Sequence, residues 1–170
     1  MGWQGCYFNF NKRLENTVKK LELNKQLIYE YQQNREPYLM IDHALEVKPG
    51  LSADGYKDFK HDEWFFKVHW KNDPNVPGML QIEALVQMAA LSILCLPGNK
   101  GKVVYLTSAT NLKFLKKIKP NTRLNIYTRV KTFKRGVALC EGKGMIEENL
   151  ACKAEFSLIL PEEINKYKLK

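Results

Sequence analysis

No stretch of this 170-residue chain is apolar for long enough to cross a bilayer as a helix, which takes about 20 such residues. The opening MGWQGCYFNFNK has no continuous apolar core of the kind a secretory signal needs. Met1-Gly2 is followed by Cys6 where a myristoylation motif carries Ser or Thr. A soluble, cytoplasmic protein without membrane insertion is expected. Cysteine is scarce: Cys6, Cys95, Cys140 and Cys152 form no C-x-x-C pair, which excludes a zinc knuckle or redox dithiol of that kind and points to reduced, mostly buried thiols. No internal repeat or low-complexity segment occurs. Acidic residues are few, 18 against 27 Lys and Arg, leaving a net charge of +9. That excess favours an acidic partner: nucleic acid, an anionic surface or an acidic protein.

What is present is enough for a core, with 45% hydrophobic and 11% aromatic residues in a chain of single-domain length. Between Asn9 and Gln33, Leu14, Val18, Leu21, Leu23, Leu27, Ile28 and Tyr31 recur at near-helical spacing, so residues 1–36 read as a helical extension ended by Arg35-Glu36-Pro37. Residues 37–170 form the main domain. Within it Tyr38–Val47 and Leu51–Phe59 read as strands about the turn Lys48-Pro49-Gly50, and His61–Gly78 as a loop. Met79–Leu96 lies between Pro77-Gly78 and Pro97-Gly98 and is apolar around almost the whole wheel, the mark of a buried helix. Alternating segments follow at 102–108, 111–114, 122–131, 137–146 and 150–160, read as consecutive antiparallel strands. The fold class is α+β, an antiparallel sheet wrapped around one long buried central helix.

Among the polar residues of that helix, Gln81, Glu83, Gln87 and Ser92, Glu83 is the only ionisable one. A lone carboxylate buried there is costly unless it is protonated, paired or hydrogen-bonded. Gln87, one turn later on the same face, offers a purely structural explanation. The chemical alternative is a carboxyl raised by desolvation and held beside a substrate. His69 sits in WFFKVHW before the helix start; it is either a packed core-edge histidine or a base. His43, beside Asp42, and His61, in a charged turn, favour structural roles. Gly78 opens the helix, where free N–H groups at the positive end of the dipole can hold an oxyanion or simply cap the helix. A base, a buried acid and an oxyanion donor together are the set that removes water from a β-hydroxyacyl thioester.

The runs PYLMIDHALEVKPG and WFFKVHWKNDPNVPGMLQIEALVQ resemble the β-hydroxyacyl-acyl-carrier-protein dehydratases, the FabZ/FabA-like family of the hotdog fold. The likeness lies in an aromatic pair before a histidine and in Pro-Gly followed by I-E-A-L-x-Q. It covers roughly three quarters of the chain. It implies that His69 and Glu83 are the catalytic pair, that Gly78 is the oxyanion amide, that the Asn75 backbone carbonyl orients the histidine and that Gln87 supports the acid. The family pattern is departed from at Val68, where a glycine is usual, and at Trp70-Lys71-Asn72. The resemblance further implies an acyl-carrier protein as partner, with the substrate on its phosphopantetheine arm, and no metal or redox cofactor. It also implies a homodimer, with trimers of dimers or a heterodimer with a related subunit as variants.

The basic residues Lys113, Lys116, Lys117, Lys119, Arg123, Lys131, Lys134 and Arg135 then read as a docking face for the carrier, with a solvated lysine face as the alternative. They lack the interleaved aromatics of single-strand binders, so nucleic acid is not expected. Glu83, where the isomerising branch of the family has Asp, leads to an expectation of dehydration without double-bond isomerisation. Other readings are a hotdog thioesterase and a non-catalytic subunit that binds carrier protein.

Overall fold

The computed structural model describes residues 19–167. Seven strands form one antiparallel sheet in the order β1-β2-β3-β5-β6-β7-β4: β1 (Leu21–Leu23), β2 (His43–Lys48), β3 (Ser52–Phe59), β4 (Tyr105–Phe114), β5 (Thr122–Lys134), β6 (Val137–Ile146) and β7 (Asn149–Ile159). Four helices accompany them: α1 (Lys25–Tyr31), α2 (Trp64–Val68), α3 (Gly78–Leu94) and α4 (Pro161–Asn165). In β5, Leu124, Ile126, Thr128 and Val130 alternate inward, and Ala138, Cys140, Ala154, Phe156 and Leu158 continue that buried face on β6 and β7. The face closes on α3, as the two-residue period of a strand dictates. From Gln81 to Leu94 every residue of α3 is buried except Glu83, so the apolar helix is the core. Gly55 of β3 lets the sheet approach it: a Cβ there would lie 2.0 Å from the His43 carbonyl oxygen and 2.7 Å from Met88 Cε.

The expected sheet around a central helix is what is seen, with differences in its details. The strands after the helix are not a consecutive meander, because β4 pairs with β7 and β5 with β3. Alternation in a sequence assigns a face, not a neighbour. The two segments expected at 102–108 and 111–114 are one strand, whose register shifts between Thr110 and Lys113 where Asn111 has φ +52°, a bulge. Residues before the expected boundary at 36/37 pack on the main domain. Leu21–Leu23 joins the sheet against β2, and Leu23 and Ile28 belong to the core. Among the described residues the expected helix over 9–33 is realised as α1, while Leu21–Leu23 is a strand, since apolar Leu21 and Leu23 alternate as well as they rotate; residues 9–18, and Cys6, lie outside the described residues.

Cys140 and Cys152 are buried and Cys95 half-buried, all unpaired. Burial pushes the thiols of Cys95 and Cys140 up to about 12 and that of Cys152 to about 11, so they pack as small apolar groups. No helix among the described residues is long and apolar enough to cross a membrane.

Candidate active site

Phe65 and Phe66 drive α2 into the core, their rings 4.7 Å apart and the first edge-on to Phe59 at 6.0 Å. His69 follows as the helix C-cap, its N–H on the Phe65 carbonyl at 2.8 Å. The region expected to be all loop thus contains a five-residue helix anchored by the aromatic pair. Its imidazole Nδ1 lies 3.1 Å from the Asn75 backbone oxygen. A carbonyl only accepts, so Nδ1 carries the proton and donates, leaving the Nε2 lone pair free to take another. Asn75 is itself buried, its Nδ2 donating to the Asp73 carbonyl at 2.7 Å. The next residue is pinned from both sides: Val76 N–H donates to Ile118 at 2.9 Å, and Gln81 Nε2 donates to the Val76 carbonyl at 3.1 Å.

Trp70 stacks on His69 with ring centroids 4.4 Å apart and planes 17° from parallel. Its position beside a histidine was the only sequence signal, and adjacency does not specify stacking. Val68, 71% exposed, points to solvent and does not line the cleft. That cleft, about 510 Å³, holds His69, Trp70, Asn75, Gly78 and Phe114 with Lys116 and Lys117 at its edge. Gly78 opens α3, and its first-turn N–H has no acceptor within the helix. A Cβ on Gly78 would meet the Phe114 ring at 3.1 Å, so glycine leaves room both for that ring and for close approach of a ligand to the amide.

Glu83 belongs to a different cleft. Five residues beyond Gly78, it is turned about 140° around the helix axis. It lines a cavity of about 290 Å³ with Gln32, Val86, Gln87, Ala90, Leu94, Tyr105 and Leu106 among its walls. Burial raises its carboxyl above the ordinary glutamate value of 4.5, with the Gln87 hydrogen bond acting in the opposite direction. Gln87 uses its whole amide: Nε2 donates to Glu83 Oε1 at 2.8 Å and to the Tyr38 carbonyl at 2.9 Å, and Oε1 accepts from Met40 N–H at 2.8 Å. It clamps residues 38–40 over the acid.

The basic residues do not form one face. Lys113 is on β4, and Lys116, Lys117 and Lys119 follow it near the His69 cleft. Lys134 and Arg135 are at the β5–β6 turn, about 35 Å along the strand from Arg123. Chain proximity across Arg123–Arg135 concealed that a strand carries its two ends apart. Arg123 is held by Asp58 through two 2.7 Å bonds, Lys117 by Asp73 and Lys131 by Glu141 and Glu155. Arg135 lies over the Tyr167 ring. Of the other histidines, His43 bonds Glu22 at 2.9 Å and stacks on Tyr56, and His61 is exposed.

Comparison with known proteins bears on this arrangement. The FabA-like domain family matches residues 33–155. A 3-hydroxyacyl-[acyl-carrier-protein] dehydratase FabZ of Alkaliphilus metalliredigens is 36% identical over 143 residues, 83% of this chain and 97% of that protein. The protein of the same description from Syntrophomonas wolfei is 34% identical over 84% of this chain and 99% of its own length. Among solved structures, the dehydratase heterocomplex ApeI:P of Xenorhabdus doucetiae superposes with a TM-score of 0.69 at 11% identity, over 82% of this chain and 95% of that one. An uncharacterised protein of Pyrococcus horikoshii gives 0.57 at 16%, over 74% and 86%. At those identities the structures speak to the fold alone, a hotdog.

Proposed function

The chain belongs to the FabA-like domain family, and from that premise we propose that it removes water from 3-hydroxyacyl thioesters on acyl-carrier protein, giving 2-enoyl thioesters, in fatty acid or related acyl-chain synthesis. The observation that carries the proposal is the His69–Asn75 hydrogen bond, which leaves Nε2 as a base in the same cleft as the Gly78 amide. In this reading Nε2 takes the proton α to the thioester carbonyl, and the electron pair moves onto the carbonyl oxygen, held by the Gly78 N–H. As the carbonyl re-forms, the C–O bond at the β carbon breaks. Glu83 gives that oxygen its proton, and water leaves. The raised carboxyl of Glu83 suits it to carry a proton to the leaving oxygen.

One chain does not bring the two groups together, and β4 supplies a reason to expect two. Among the described residues it is a sheet edge with one neighbour, β7, and none of its ten residues is buried, an edge primed for pairing. Tyr105 and Leu106 at its start line the Glu83 cleft, and Phe114 at its end lines the His69 cleft. Two copies paired antiparallel through β4 about a two-fold axis set the His69 cleft of each beside the Glu83 cleft of the other. The proposed enzyme is therefore a homodimer with two shared sites. Lys116, which lines the His69 cleft, and Lys113 and Lys119, close to it in the chain, are proposed to receive the acidic carrier. Incubation with a 3-hydroxyacyl-carrier thioester tests the reading: 2-enoyl product without 3-enoyl isomer is expected, whereas release of free thiol alone marks a thioesterase and rejects it.

A further inference from the structure

The Glu83 cleft follows one face of α3 past Val86, Gln87 and Ala90 to Leu94, about 16 Å of helix. Its wall includes a run of amides, Gln32, Gln33 and Asn34. The Tyr31 carbonyl accepts from Gly101 N–H at 3.0 Å, and Gln33 Nε2 donates to the Gly101 carbonyl at 2.9 Å. These bonds tie residues 31–33 to the chain that has left α3. Tyr38, at the other end of the segment, is the residue held by Gln87. Gln32 therefore lies toward the Leu94 end of the cleft, away from Glu83.

Gln32 is 3% exposed, and among the described residues neither Nε2 nor Oε1 of its side chain has a hydrogen-bond partner. Native proteins seldom leave both ends of a buried amide unpaired, and a leucine of similar volume would avoid the cost altogether. Capping α1 does not require the amide, because the bond to the Ile28 carbonyl at 3.0 Å is made by the Gln32 backbone N–H. A plain alkyl chain gives such a group nothing to bond.

Resting on the reading of this cleft as the acyl site, we propose that the acyl chain carries a second neutral hydrogen-bonding group, a hydroxyl in the simplest case, well beyond the 3-position, and that Gln32 receives it. The amide atoms are buried in a residue that lines the cleft, so the proposal requires rotation about the side-chain bonds to bring them to the substrate. An amide gives a donor and an acceptor at once, which matches a hydroxyl. A carboxylate fits less well, because the neighbouring cation, Lys102, is already taken by Glu163 and by Asn99 Oδ1 at 3.1 Å.

The test compares 3-hydroxyacyl-carrier thioesters of equal length, one plain and the others with a further hydroxyl at successive distal positions. The wild type is expected to favour one hydroxylated chain by at least ~10-fold in kcat/KM, as sites built to bond a hydroxyl do. Gln32→Leu is expected to lose that preference and to melt no lower. Equal turnover of all chains by the wild type, or a preference surviving in Gln32→Leu, overturns the inference while leaving dehydration in place. A lower melting temperature for Gln32→Leu also overturns it, since the amide would then serve the fold. Calorimetric binding of the matching pantetheine amides separates the two readings. Tighter binding of the hydroxylated amide without turnover of any thioester keeps the Gln32 site and removes the dehydratase; equal binding removes the Gln32 site.

Discussion

His69 and Glu83 open onto different sides of the same protomer: the histidine shares its cleft with Gly78 and Phe114, the carboxyl its own with Gln87 and Leu106. The helix between Gly78 and Glu83 imposes the separation, because five residues of α-helix turn the side chain about 140° from its starting direction. The proposed chemistry, which uses both, draws them from two chains.

In the proposed mechanism, replacing either group removes a proton carrier. His69→Ala and Glu83→Ala are each expected to lower kcat by about two to four orders of magnitude, with folding intact by circular dichroism. Turnover within a few-fold of wild type in either variant rejects the role of that residue.

The carboxyl of Glu83 gives a pH test that needs no substrate. Its folded-state value is raised above the ordinary 4.5 by burial, so its contribution to stability is fully present below about 4.5 and is lost as pH rises through the folded value. Glu83→Gln resembles the protonated form at every pH. Its melting temperature relative to wild type should therefore increase as pH rises from below 4.5 toward neutrality; a flat or falling difference contradicts the raised carboxyl.

Gln87→Leu strands the Met40 N–H and the Tyr38 carbonyl that the amide now satisfies. A cost of about 1–3 kcal/mol for each group left unpaired is expected in chemical denaturation. The same change removes the bond that holds the Glu83 carboxyl down, so the acid should titrate higher still. An unchanged denaturation midpoint would show that residues 38–40 are held by other means.

Charge reversal separates the two ends of the former basic cluster. Lys116→Glu or Lys119→Glu should raise KM for a carrier-bound substrate and leave the pantetheine thioester unaffected, while Lys134→Glu, at the far end of β5, should change neither. Equal effects of all three would point to net charge rather than a docking face.

Much of this was legible in the sequence because the signals were local. The apolar helix bounded by Pro77-Gly78, the isolated Glu83 and the aromatic pair before His69 are properties of neighbouring residues, and the structure places them as local rules require. Strand pairing was not legible. β4 alternates as a strand should, yet nothing in 105–114 says that its partner is β7, thirty-five residues on. The same gap made Lys116 and Arg135 look adjacent. The Trp70 stack and the unpaired Gln32 amide depend on contacts that chain order does not encode. Leu21–Leu23 fits either period and became a strand because β2 offered it an edge.

Subunit complementation tests the shared site most directly. His69→Ala and Glu83→Ala, each inactive alone, are to be unfolded together, refolded at equal concentration and assayed on a 3-hydroxyacyl-carrier thioester. A mixed dimer has one site with both native groups, so activity of about a quarter of wild type is expected from random pairing. A mixture that forms mixed dimers by native mass spectrometry and is no more active than its components would contradict a site built from His69 of one chain and Glu83 of the other.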